Sequence, residues 1–155
     1  MFRTAYRITG NAADAEDVLQ TIFLRLLRSG VTSAGVENGE SYFRRAAVNA
    51  SLDILRARQS QNRVLLTEVP GKDQGRTAAT ASEDSSAELR ECLRRAFVSL
   101  TPRSAEIFAL RYLEDLSNQK IAEAMNISQV LVAVTLHRAR RQLQKEIRKY
   151  FGEQS

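Results

Sequence analysis

Tyr42, Arg45, Asn49, Asp53 and Arg56 follow one another at steps of three, four, four and three, so a helix would carry all five on one stripe. An amide such as Asn49 can hydrogen-bond a base edge, and the guanidiniums of Arg45 and Arg56 suit phosphates. A carboxylate facing phosphates is repelled, so Asp53 is better read as the group that orients Arg56 or Asn49. A solvated helix face would carry the same residue types, and spacing alone leaves both readings open.

A second cluster lies near the C-terminus, in LSNQKIAEAMNISQVLVAVTLHRARRQL, Leu116 to Leu143. Ser117 can cap a helix bearing Ile121, Ala122 and Met125, Asn126 can take the left-handed conformation of a turn, and Ser128 can cap a second helix. Val132, Leu136, Ala139 and Leu143 form its buried stripe, which leaves Arg138, Arg140, Arg141 and Lys145 toward solvent or phosphate. This is the layout of a helix-turn-helix, although an ordinary helical hairpin with a basic face has the same spacing.

Both clusters need helices to hold them. In NAADAEDVLQTIFLRLLRSG the residues Val18, Leu19, Ile22, Phe23, Leu26 and Leu27 recur at helical spacing, and Asp14, Glu16 and Asp17 crowd a first turn where the helix dipole favours anions. Asn11 is the expected N-cap and Gly30 the expected stop. After a loop rich in Gly, Ser and Asn, a helix is predicted from about Ser41 to Gln59, with Phe43, Ala47, Ala50 and Ile54 on its core stripe. Ser60 to Ser86 shows little periodicity and reads as a flexible linker. Beyond it ELRECLRRAFVSL is helical in pattern, and Thr101 followed by Pro102 starts a helix that runs to about Leu113. The expectation is an all-α chain of two small helical domains, 1–59 and 87–155, joined by a linker over 60–86.

Composition narrows the chemistry. The 155 residues hold 23 Lys and Arg against 18 Asp and Glu, a net charge of +5 that suits a polyanion such as nucleic acid. Cys92 is alone, so no disulfide can form within one chain, and a reducing cytoplasm is compatible. No apolar run reaches transmembrane length, and the N-terminus has no signal-peptide pattern, so a cytoplasmic location is expected. His137 lies in the basic helix, no Ser or Cys has a base beside it, no glycine-rich phosphate loop is present, and the carboxylates cluster at a helix start away from His and Cys. No enzyme site, metal or cofactor is expected.

The segments AYRITGNAADAEDVLQTIFLRLLR, SYFRRAAVNASLDILRAR and LTPRSAEIFALRYLEDLSNQKIAEAMNIS with LHRARRQL, in that order, resemble the extracytoplasmic-function group of bacterial RNA polymerase sigma factors. The resemblance spans nearly the whole chain outside the linker. It implies a sigma domain two-like helical bundle that grips core RNA polymerase and opens the minus-ten element, and a sigma domain four-like helix-turn-helix that reads the minus-thirty-five element. Carried over by motif, Asp17, Gln20 and Phe23 would dock on the polymerase, although Phe23 also lies on the apolar stripe and reads there as core. Arg45, Asn49, Asp53 and Arg56 would face the minus-ten element, the last three matching the family's N-x-x-x-D-x-x-R pattern. Lys120, Ser128, Gln129, Val130, Ala133, His137, Arg138 and Arg141 would face the minus-thirty-five element. Core polymerase and promoter DNA are then the expected partners, with an anti-sigma factor as regulator.

Three departures from the family pattern are visible. The first helix starts some turns late, so that domain two is expected to be short. The usual tryptophan-leucine pair at the start of the second helix is replaced by Tyr42 and Phe43, and the loop before it, where an unstacked base would be captured, offers Ser33, Asn38 and Ser41. The recognition helix holds Val130, Leu131 and Ala133 where polar and basic residues are usual. Apolar groups can read thymine methyls and Gln129 can pair with adenine, which suits an A/T-rich site. The alternative is a sigma-derived interaction module whose Val130, Leu131 and Val134 form a patch for an anti-sigma factor or a second copy, as a homodimer.

Overall fold

The computed structural model describes residues 1–30, 39–68 and 81–152, and every regular element among them is an α-helix. Helix α1, Phe2–Thr9, ends at Gly10, which sits at φ 81° and returns its N–H to the Tyr6 carbonyl at 2.8 Å. A glycine takes that left-handed conformation without steric cost. Helix α2, Ala12–Ser29, begins as expected at Asn11, whose side chain accepts the Asp14 N–H at 2.8 Å, and it stops at Gly30. Asp14 also pairs with Arg58 of α3. Helix α3, Gly39–Glu68, packs across α1 and α2, and Ala5, Ala15, Val18, Ile22, Ala47 and Ala50 form the small core between them. So many alanines at the contact let the three backbones approach closely.

The second unit comprises α4, Ala81–Ser99, α5, Pro102–Tyr112, α6, Asn118–Met125, and α7, Gln129–Gly152. Thr101 caps α5 by accepting the Ser104 N–H, and Pro102 sits in the first turn, where its missing donor costs nothing. Ser117 caps α6, Asn126 turns at φ 53°, and Ser128 accepts the Leu131 N–H at 3.1 Å to open α7. The predicted stripe of Val132, Leu136, Ala139 and Leu143 is buried, together with Ile121, Leu116 and Leu110.

Two features differ from the sequence reading. The helix predicted to stop at Gln59 continues to Glu68, and α4 starts at Ala81, so both ends of the expected linker, 60–86, are helical; its remainder, 69–80, lies outside the described residues. The segment after Gln59 contains no Gly or Pro until Pro70, which disfavours helix at the residue before it, so the backbone has no local reason to stop earlier. The two units also share a core. Val48, Leu52 and Leu55, a second apolar stripe on α3, join Ile8 against Leu100, Ala105 and Leu110. Burying such aliphatic side chains contributes about 1.5–3 kcal/mol each, enough to hold one helical unit on the other.

Candidate nucleic-acid interface

The stripe on α3 lies beside that shared core and is partly covered by the second unit. Arg45 donates from Nε to Glu106 Oε1 at 2.6 Å and from Nη1 to the Ala124 carbonyl at 3.2 Å. Glu106 is a buried carboxylate on α5, so Arg45 is its neutralising partner as well as a candidate phosphate contact. Around it, Arg44 lies 3.7 Å from Glu114, Thr4 donates to the same carboxylate, and Arg7 donates to the Leu113 carbonyl at 2.8 Å. Asp53 Oδ1 is 3.7 Å from Arg56 Nη1, while Arg56 Nη2 is buried with no hydrogen-bond partner among the described residues. Asn49 is half-buried, and Tyr42 is exposed with its ring edge-to-face against Phe43 at 5.6 Å. Of the loop groups, Ser33 and Asn38 lie outside the described residues, and Ser41 is half-buried.

On α6 and α7 the arrangement is the opposite. Lys120, Ser128, Gln129, Val130, Ala133, His137, Arg138 and Arg141 are all exposed. In α7 the positions 129, 133, 137 and 141 succeed one another at steps of four and turn their backs on the buried stripe. No acidic residue occurs between Ser128 and Lys145, and the arginines of this helix begin at Arg138. The apolar start of the helix is also open, with Val130 73% and Val134 39% exposed. Arg140, just off that face, donates to the Tyr112 hydroxyl at 3.0 Å.

A third surface lies on α2. Asp17 and Gln20 are exposed as expected, but Phe23 is not part of the core: it is 53% exposed, with Leu24 and Leu27 open beside it. The buried stripe is narrower than the apolar pattern of this helix: Ala15, Val18 and Ile22 are buried in the alanine-rich contact with α1 and α3, and Leu26 packs at its edge. The result is a carboxylate and an amide around an apolar anchor, the composition of a protein-binding surface.

Glu106 and Glu114 were missed by sequence reasoning. Glu106 shares a helical stripe with Leu110 and Leu113, at steps of four and three, and a carboxylate on an apolar stripe calls for a cationic partner. Cys92 is buried; desolvation pushes its thiol above the usual value, against the opposing pull of Arg95. Among the described residues no helix is long and apolar enough to cross a membrane.

The Sigma-70 region 2 family model matches residues 1–61, and the Sigma-70 region 4 model matches residues 90–143. The chain is 29% identical to an RNA polymerase sigma-E factor of Streptomyces avermitilis, over 95% of this chain and 78% of that protein. It is 31% identical to the ECF RNA polymerase sigma factor SigE of Mycolicibacterium smegmatis, over 99% of this chain and 59% of the relative. With the ECF RNA polymerase sigma factor SigW of Bacillus subtilis it shares 28% identity over 96% of this chain and 83% of the relative. Regions two and four stand in the order of the two helical units described above, and the chain belongs to the sigma-70 family of RNA polymerase sigma factors, in its extracytoplasmic-function group.

Proposed function

We propose that this chain directs core RNA polymerase to promoters as a sigma factor, with α7 on the minus-thirty-five element, α3 on the minus-ten element and the outer face of α2 on the polymerase. The observation that carries the reading is the basic, carboxylate-free outer face of α7, open along its length. There Gln129 reads an adenine edge, the methyls of Val130 and Ala133 read thymine, and Arg138 and Arg141 hold phosphates, with Lys120 on α6 as a further cation. On α2, Asp17, Gln20 and Phe23 with Leu24 and Leu27 present the polymerase with an apolar anchor between polar groups.

Arg45 is held by Glu106 and Ala124, so these two contacts have to be given up before Arg45 can reach DNA. Polymerase binding to α2, with promoter DNA, supplies the competing interactions; a partner shifts such an equilibrium only by its differential affinity for the open form. The domain division, region two as far as α3 and region four from α4, follows that release. The site of action is then the cytoplasm, where polymerase and chromosome are.

A second reading is favoured by the exposure of Val130: the apolar strip of Val130, Leu131 and Val134 receives a protein, an anti-sigma factor or a second copy of the chain. Reconstitution with core polymerase separates the two. Mapped transcripts should share an upstream A/T-rich element that is lost as a determinant with Gln129→Ala, and Asp17→Ala with Gln20→Ala should weaken holoenzyme assembly without unfolding the chain. No transcription above core polymerase alone, together with a dimer abolished by Val134→Asp, would establish the interaction module in its place.

A further inference from the structure

Between the two units lies a cavity of about 690 Å³, within the range of small-molecule sites. Its walls are mostly apolar and come from both sides of the seam: Ile8 and Leu55 from the first unit, Phe97, Phe108, Leu143 and Ile147 from the second. Four guanidiniums stand around it, Arg7, Arg90, Arg94 and Arg140, and no carboxylate is among the described lining residues. Arg7 and Arg140 each give one N–H to a neighbour, the Leu113 carbonyl and the Tyr112 hydroxyl. Among the described residues, the carboxylate nearest Arg94 is that of Glu91 at 3.8 Å, and Arg90 has no ion pair. The guanidinium of Arg94 lies where a side chain at residue 10 would be: a Cβ there would fall 2.0 Å from Nη2, so the absence of a side chain at Gly10 makes its room.

A carbon-lined chamber with an excess of positive charge at its edge is complementary to a molecule with one long apolar part and one negative group. We propose that this cavity binds a single-chain amphiphile with an anionic head, its alkyl chain among Leu55, Phe97, Phe108 and Ile147 and its head between Arg90 and Arg94. Planar guanidiniums suit a bidentate carboxylate or phosphate head equally. A nucleic acid strand would need a basic groove tracking successive phosphates, and an amphipathic peptide helix an elongated groove for anchors at successive turns. At about 690 Å³ the space has the size of one small amphiphile. Because both units line the chamber, the bound molecule makes its full set of contacts only while they are packed together, and it favours the arrangement in which Glu106 holds Arg45. The site is independent of the promoter reading and is tested without polymerase or DNA.

Calorimetric titration of the full chain with decanoate, undecanoate and dodecanoate, below their micellar concentrations, is the experiment. Affinity should rise about threefold to fourfold per added methylene, the value expected for burying it. Arg90→Glu and Arg94→Glu should each weaken dodecanoate about tenfold or more, as should Leu93→Trp, which fills the chamber from an exposed position. Circular dichroism checks that each variant is folded. A dodecyl phosphate arm identifies the head: tighter binding than dodecanoate assigns a phosphate amphiphile, weaker binding a fatty carboxylate. Dodecyltrimethylammonium binding as tightly as dodecanoate would overturn the proposal, as would affinity independent of chain length. So would binding untouched by all three substitutions, or an acidic amphipathic peptide that binds where dodecanoate does not.

Discussion

Two basic helical faces of this molecule, on α3 and α7, are built from the same materials and have opposite circumstances. Each carries arginines and an amide at helical spacing, the pattern of a face that reads nucleic acid. On α3 the leading arginine has found its anion within the chain, at Glu106, sixty-one residues away in sequence. On α7 nothing acidic lies between Ser128 and Lys145, and Arg138 and Arg141 face solvent. Residue type and spacing therefore say what a face can bind, whereas the partner it holds is decided by whichever helix the fold lays across it. Here that helix is α5, brought over by the second apolar stripe of α3.

The contrast is most severely tested in the shared core. Leu52→Ala, at a fully buried position, should cost about 2–5 kcal/mol and lower the stability of both units together, in one urea transition. Two separate transitions, with only one moved, would mean that α3 is not covered in solution. The ion pair gives the next largest effect, and it is asymmetric. Arg45→Ala strands the buried Glu106 carboxylate and should cost about 1–3 kcal/mol. Glu106→Gln leaves Arg45 with the Ala124 carbonyl and solvent, and should cost no more than about 1 kcal/mol. By freeing a cation, Glu106→Gln should also steepen the salt dependence of non-specific DNA binding by about one phosphate contact, whereas Arg45→Ala should not.

On the open face the two kinds of contact separate. Gln129→Ala should cost about 1–3 kcal/mol on the preferred site alone, while Arg138→Ala should weaken every sequence alike and lower the salt slope by about one. Binding-site selection followed by titration at several salt concentrations reads both; a Gln129 effect equal on all sequences would remove the base contact. The smallest effect belongs to Asp53→Asn. Its pair with Arg56 is long and its carboxylate exposed, so thermal unfolding should register no more than about 1 kcal/mol.

Most of the second unit was legible because its signals are local. Caps at Thr101, Ser117 and Ser128, the turn at Asn126 and the stripe of Val132, Leu136, Ala139 and Leu143 each depend on residues within a turn or two of one another. What the sequence concealed depends on contact at a distance. Phe23 has the type and spacing of a core residue, and only the narrowness of the alanine-lined contact leaves it outside. Val48, Leu52 and Leu55 also recur at helical spacing, but only the packing of α5 makes them a second core stripe beside Phe43, Ala47, Ala50 and Ile54. No local rule identifies Glu106 as the partner of Arg45, because only the folding of α5 onto α3 introduces them.

That separation along the chain has a consequence during synthesis. A ribosome adds about 5–20 residues per second, so the 61 positions between Arg45 and Glu106 correspond to roughly 3–12 s. For that interval the nascent chain carries α1, α2 and α3 with nothing to lay over Val48, Leu52 and Leu55, and a greasy strip of helix is open to whatever the crowded exit vestibule contains. Every newborn molecule thus passes through a brief uncovered phase, and the arrival of α5 closes it.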